Sequence, residues 1–290
     1  MTRLREVSLP DGARIFAVRP QEVETLYQQV QEYFQHGIGV NAGDTVFDVG
    51  ANIGLFALWL RRTVGGHVRV YSFEPIPPVF EALQRNAGRF DSENWKVFSC
   101  GLGRCPGTAT FGYFTRVTAM SSIYPDTSTE AKAALRDMLL RNADHWPPAM
   151  RWMRRLPGFL LRRCIDRLIR WAFVTERVDC PIRTVSEMIR DQNVARIDLL
   201  KVDVEKAELD VLEGIEPGDW AIIRQVVVEV HDLDGRLAKV AGLLKAQGFD
   251  AIWVEQEPFF EGSEIYNLYA RRTAEVGDET ACRDGKGRLP

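Results

Sequence analysis

Two blocks in the second half of the chain bring acids and a histidine to the ends of apolar runs. "RIDLLKVDVEKAE" carries Asp203, Glu205 and Glu208, and "VVVEVHD" carries Glu229, His231 and Asp232. Imidazole titrates near neutrality, so His231 is suited to take the proton of an alcohol whose oxygen attacks an electrophile. Glu205 or Glu229 would orient that ring and stabilise the imidazolium, and Asp203 completes the candidate catalytic set. His36, His67 and His145 fall at no strand tip on the expected face. Asp203, Glu205 and Asp232 could instead gather oxygens for Mg²⁺. Such clusters also arise wherever strand tips meet helix N-termini, and the reading taken is metal-free. Lys206 reads as a solvated first-turn helix residue able to pair with Asp210 four positions on, without a catalytic role.

A second set of candidates sits earlier, in "FDVGANIGLF". A dinucleotide turn has the spacing G-x-G-x-x-G, which lets backbone amides meet a pyrophosphate. Here Asn52 replaces the middle glycine, and Gly54 comes one residue early after Gly50 and Ala51. Asp48, two residues before the turn, would repel a diphosphate. S-adenosyl-L-methionine carries an ammonium and a sulfonium and no phosphate, so the acid is expected to face its amino-acid portion. Glu74, twenty residues after Gly54 in "VYSFEP", is expected to accept hydrogen bonds from both ribose hydroxyls, with Pro75 beside it. Behind the third strand, Cys100, Gly101 and Leu102 in "SCGLG" should wall the adenine. The turn is read as an S-adenosylmethionine site.

"DTVFDVGANIGLFAL", "VYSFEP", "RIDLLKVDVEKAELDVLEGI" and "VVVEVHD" together resemble the FkbM family of S-adenosylmethionine-dependent methyltransferases, from about Asn41 to Arg271. The "IDLLKxDVExAE" block is the most specific part. Many members have Gly where this chain has Lys206, and the Lys form is similar to methyltransferases of polyketide and non-ribosomal peptide pathways. The resemblance implies an O-methyltransferase of bacterial secondary metabolism. It also aligns Ser121 and Ser122 of "AMSSIY" with a serine pair that could contact cofactor or acceptor, Ser122 being taken as a cofactor residue. The acceptor is expected to be a hydroxyl on a small molecule or on a carrier-protein-tethered intermediate. Alternatives are a sugar-hydroxyl O-methyltransferase, a non-catalytic cofactor-binding or docking module and, more distantly, an NAD-dependent dehydrogenase.

The elements that must position these residues follow from hydrophobic periodicity. Residues 1–40 read as a β-ribbon followed by a helix, with Val23, Leu26, Tyr27, Val30, Tyr33 and Phe34 at helical spacing. Residues 41–272 alternate strand and helix, which predicts an α/β chain with a mostly parallel sheet and helices on both faces; the resemblance implies its Rossmann-like, seven-stranded class I methyltransferase form. A last reversed pair of strands is expected to close it. "GTATFGYF" reads as a strand in a hairpin or a sheet extension. Residues 115–175 interrupt the rhythm as a helical insert, and 273–290 read as a disordered tail.

The insert contains "AMRWMRRLPGFLLRRCIDRLIRWAF", with seven arginines and one acid, Asp166. Leu161, Ile165 and Leu168 form an apolar stripe, and Arg163, Arg167 and Arg170 repeat the same spacing on a neighbouring face. The reading taken is a lid over the acceptor pocket with solvated arginines. A sharper one docks an acidic carrier protein on the basic face; peripheral membrane attachment is a third and is not expected.

The bulk numbers fit this organisation. The chain has 290 residues, 46% hydrophobic and 27% charged, with a net charge of −3, so no global charge argues for nucleic acid. Five cysteines without a C-x-x-C pair argue against a zinc site or disulfide framework and suit a reducing cytoplasm. With no apolar run long enough to span a bilayer, the chain is expected to be soluble and cytoplasmic.

Overall fold

A computed structural model describes residues 4–273 except 66, 92 and 147. The expected tail therefore lies outside the described residues apart from Thr273, whose N–H donates to Asp250 at 2.7 Å. The chain opens with a ribbon, β1 (Arg5–Ser8) and β2 (Arg14–Ala17), and α1 (Val23–Gln29). There follow β3 (Thr45–Val49), α2 (Leu55–Val64), β4 (Arg69–Phe73), α3 (Pro77–Phe90) and β5 (Trp95–Phe98). Next come β6 (Gly101–Leu102), β7 (Gly107–Phe114), α4 (Thr129–Arg141), α5 (Pro148–Arg151), α6 (Gly158–Ala172) and β8 (Thr175–Arg183). The C-terminal half is α7 (Val185–Asp191), β9 (Leu199–Val202), α8 (Glu208–Glu213), β10 (Gln225–His231), α9 (Arg236–Ala246), β11 (Ala251–Glu255) and β12 (Ile265–Arg271).

Seven strands form one sheet in the order β11-β12-β10-β9-β3-β4-β5. This is the Rossmann-like class I methyltransferase arrangement. The chain steps outward from β3 through β4 to β5, then returns to place β9 on the other side of β3. That reversal opens a crevice beyond the carboxyl ends of β3 and β9, where ligands of such sheets bind. β12 runs antiparallel to both β10 and β11. One strand is reversed, not the expected pair, and β11 keeps the direction of the parallel set.

β3 is buried along its whole length because helices cover both faces. Val46 points into the layer containing α2 and α3, whereas Phe47 and Val49 point into that of α7, α8 and α9. In α3, Val79, Leu83 and Ala87 recur at helical spacing and are buried against the sheet. Truncating Leu83 to Ala costs about 2–5 kcal/mol. The N-terminal segment is no separate body: Val23, Val30 and Tyr33 join the same core.

The third strand leaves the main sheet after Phe98. β6 pairs instead with β8, which also carries β7, in a three-stranded sheet. "GTATFGYF" is thus half of an antiparallel ribbon, and its last residue, Phe114, pairs with Thr175. Residues between these two are an insertion at the open end of the ribbon. The insert has its own small core, in which Trp146 is buried and its indole N–H donates to the Leu139 carbonyl at 2.7 Å. Asn142 fastens it to the β11–β12 connection by donating to the carbonyls of Phe259 (2.9 Å) and Glu261 (3.0 Å). Leu161 and Ile165 point into this core and not, as a lid face would, onto the cavity; Ile169 completes the row and Leu168 faces outward.

Candidate active site

The glycine turn follows β3 with three residues in the left-handed region, Gly50 (φ 77°), Asn52 (φ 49°) and Gly54 (φ 89°). A Cβ on Gly50 would lie 1.7 Å from the Asp203 carbonyl oxygen, so only glycine lets the turn press against the end of β9. Its amides are already committed. Gly50 and Ala51 donate to the Phe73 carbonyl, Asn52 to the Glu74 carboxylate at 3.1 Å, Ile53 to the Asn52 side chain and Gly54 to the Ala51 carbonyl. Donors that have acceptors within the protein do not cradle a pyrophosphate.

Glu74, at the tip of β4, also accepts from the Ile76 amide at 2.8 Å. Burial pushes its pKa up to about 7, opposed by those two amides. Its carboxylate borders a cavity of about 1000 Å³ together with Gly50, Ala51, Asn52, Pro75, Gly101 and Leu102. A Cβ on Gly101 would meet the Ile182 Cδ1 at 2.9 Å, so a larger residue there requires that side chain to shift. Cys100 is buried in the core rather than on this wall.

Asp48 corrects the expectation that it faces a ligand. It is fully buried behind the turn, off the cavity, and directly opposite Lys201 in the β3–β9 register. Lys201 Nζ stands 3.3 Å from Asp48 Oδ1 and 3.4 Å from Asp203 Oδ2, and donates to the Gly50 carbonyl at 3.0 Å. The rings of Tyr33 and Phe56 flank the ammonium at 5.5 and 5.9 Å. Ser72 Oγ donates to Asp48 Oδ2 at 3.2 Å. Burial raises the Asp48 pKa and the lysine counters it. The protein's own cation thus meets this acid. A lysine inside an otherwise apolar strand was the available signal, because a buried ammonium requires an anionic partner.

Further acids border the cavity from the tips of β9 and β10: Asp203, Glu205 and Glu229, beside His231. The turn after β9 puts Glu205 (φ 52°) and Lys206 (φ 79°) in the left-handed region. Two such residues in succession store about 1–3 kcal/mol each. The Lys206 amide donates to Glu208 at 2.6 Å. Lys206 therefore precedes α8 rather than lying in its first turn, and Asp210 binds Arg104 and Tyr124 instead. Ser122 donates its hydroxyl to the Glu205 carbonyl and accepts from the Tyr124 amide, so it holds this turn in place. Tyr33 donates to Asp203 at 3.0 Å.

His231 ends β10 between two carboxylates. Its Nδ1 lies 2.9 Å from Glu208 Oε1 and its Nε2 lies 3.2 Å from Glu205 Oε2. Glu208 is fully buried and also binds Arg236 at 3.2 Å. The orienting acid is thus Glu208, with Glu205 on the cavity side of the ring. Glu208 was visible in the sequence but had no reason to be preferred. Burial alone would lower the His231 pKa, yet Glu205 and Glu208 hold it well above its usual value. Burial and the charges of Asp203 and Glu205 push Glu229 well up.

Ligand atoms of Glu205, Glu229 and His231 lie within 4.8 Å of one another, close enough for a cation. The trio Asp203, Glu205 and Asp232 does not form, since Asp232 turns away to accept from the Leu237 amide at the start of α9. The cavity's outer wall comes from the insert and the N-terminal segment, including Leu135, Met138, Phe173 and Glu22. Glu22 accepts from the amide and, at 2.7 Å, the hydroxyl of Thr118, tying the two walls together.

A family model described as the Methyltransferase FkbM domain matches residues 48–251. The "31-O-demethyl-FK506 methyltransferase FkbM" of Streptomyces tacrolimicus is 38% identical over 270 residues, 92% of this chain and 96% of that one. The "AMB antimetabolite synthetase AmbE" of Pseudomonas aeruginosa is 34% identical over 277 residues, which cover 92% of this chain but 12% of the synthetase. Among solved structures, the METTL16 MTase domain (crystal form 2) aligns with a TM-score of 0.43 at 10% identity, over 92% of this chain and 86% of that one.

Proposed function

This chain belongs to the FkbM family of methyltransferases, and from that premise we propose that it methylates a hydroxyl of a polyketide- or peptide-derived secondary metabolite, using S-adenosylmethionine. The name of its Streptomyces relative specifies an O-linked methyl group. The synthetase relative holds a similar segment within a much longer chain.

The cavity suits that donor. Bound S-adenosylmethionine supplies an electrophilic methyl group on a sulfonium. Glu74 would accept from the ribose hydroxyls, and Gly101 and Leu102 would flank the base. Asp203 and Glu205 border the space with negative charge, which favours a cationic occupant. The committed amides of the glycine turn count against a dinucleotide.

The observation that carries the hydroxyl reading is the His231 geometry. Glu208 accepts a hydrogen bond from Nδ1–H, so when the ring is neutral Nε2 is the proton acceptor on the cavity side. The ring takes the acceptor's proton as its oxygen attacks, and the resulting imidazolium is balanced by Glu205 and Glu208. Positioning of acceptor against donor supplies further rate.

The test incubates the enzyme with methyl-labelled cofactor and a panel of polyketide- and peptide-derived alcohols, followed by mass spectrometry. One methyl per acceptor oxygen is expected. His231→Ala should lower turnover about 10²–10⁴-fold while calorimetry with S-adenosylhomocysteine shows unchanged affinity. Unimpaired turnover in that variant would overturn the assignment.

A further inference from the structure

Arginines and exposed apolar side chains coincide on the outside of the insert. Six of the eight large apolar side chains exposed among the described residues fall within 152–174, including Trp152 at 59% and Phe159 at 68% exposure. The stretch from 149 to 173 holds seven arginines, one acid and no lysine, in a chain whose net charge is −3.

The arrangement on α6 is ordered. Ile165 and Ile169 are buried in the insert's own core. At 100° per residue, Leu160, Leu168 and Trp171 share an arc beside that buried face, and all three are exposed. Arg163, Arg167 and Arg170 occupy the next arc. Among the described residues, none of these three arginines takes part in an ion pair, whereas Arg154 meets Asp144 and Arg136 meets Asp166. A solvated lid requires basic groups on this face but not aromatic and leucine side chains beside them.

We propose that this face binds an anionic phospholipid surface, with α6 lying along the headgroups. Aromatic and leucine side chains reach the acyl boundary while the arginine forks hold lipid phosphates at their own level. A second copy of the chain would set arginine against arginine. A docked protein would have to supply an apolar ridge and a row of acids in register, whereas an anionic bilayer offers both everywhere. Among the described residues no helix is long and apolar enough to cross a membrane, so the attachment is peripheral. The inner side of the same insert borders the cavity through Leu135, Met138 and Phe173, which brings the cavity wall to a surface where apolar acceptors partition.

The test is sedimentation of the full chain with vesicles of phosphatidylcholine alone or mixed with phosphatidylglycerol. Partitioning onto the mixed vesicles should exceed that onto neutral ones by about tenfold or more. It should fall by about tenfold in Arg163→Glu/Arg167→Glu, and also in Phe159→Ser/Trp171→Ser. None of these four residues borders the cavity, so calorimetric affinity for S-adenosylhomocysteine reports intact folding. With no substitution at all, salt near 1 M, where the screening length is about 3 Å, should release the wild-type chain. Wild-type protein left in the supernatant with both vesicle types would overturn the proposal, as would sedimentation indifferent to charge reversal and salt. So would indifference to vesicles combined with arginine-dependent binding to a purified acidic acyl carrier protein, which would assign the face to protein docking. These readouts are independent of whether the reaction methylates a hydroxyl.

Discussion

Lys201 and Asp48 are direct partners on neighbouring strands, and their charged atoms lie 3.3 Å apart behind the glycine turn. The same ammonium reaches the Gly50 carbonyl and Asp203, so one buried cation ties β3, the turn and the tip of β9 together. It determines where the acids of the crevice can act: Asp48 is neutralised internally, and the charge open to a ligand lies at Asp203 and Glu205.

Lys201→Met should therefore destabilise the fold by about 3–5 kcal/mol, because it leaves a buried carboxylate without its partner. Burial already raises the Asp48 pKa, and removing the lysine raises it further. An acid protonated in the folded state but ionised when unfolded costs more stability as pH rises above the ordinary carboxyl range. Urea denaturation should show a larger loss at mildly alkaline pH than at about pH 5. Asp48→Asn in the same chain should restore much of it. A single lysine variant as stable as wild type would show that the pair contributes nothing.

Glu208 positions His231 and has no place on the cavity wall. In wild type the two flanking acids hold the imidazole pKa well up, so kcat/KM should climb through a limb above the usual imidazole range as the base loses its proton. Glu208→Gln removes a negative neighbour and should shift that limb to lower pH, with kcat reduced about tenfold or more. Glu208→Asp should recover part of both effects. A purely structural role would lower stability and leave the limb in place.

Much of this was legible before any coordinates. The break in periodicity at about 115 and its resumption at about 175 flank the last pair of the ribbon, Phe114 with Thr175. Periodicity and turn residues report such switches directly. What escaped was pairing across strands. Nothing in "FDVG" announces that Asp48 will sit opposite Lys201, since register is decided by strand order, and the order reverses at β3. Glu208 escaped for a similar reason: it begins α8, and only the meeting of β9 and β10 brings it to His231. Leu168 was assigned inward because its spacing fits the stripe, yet the helix faces its core through Ile165 and Ile169.

Glu74 offers a test of the cofactor side alone. Two backbone amides hold its carboxylate, and both oxygens remain acceptors with lone pairs to spare for ribose hydroxyls. Glu74→Gln would turn an NH₂ group toward one amide or toward the ribose. Affinity for S-adenosylhomocysteine should fall about tenfold or more, the magnitude of a lost charge-assisted hydrogen bond. Unchanged calorimetric affinity would move the ribose away from β4.

The cluster of Glu205, Glu229 and His231 gives the chemistry two routes, because the same atoms could remove a proton or hold a cation that acidifies the acceptor. The hydrogen-bond geometry favours the first: His231 Nε2 already meets Glu205, and the flanking acids favour a protonated ring, which a metal would have to displace. Turnover should accordingly persist after dialysis against a chelator, and calorimetry with Mg²⁺ should show no binding that Glu229→Gln removes. Activity lost to the chelator and restored by Mg²⁺, together with a heat of binding that depends on Glu229, would make His231 a ligand and the base something else.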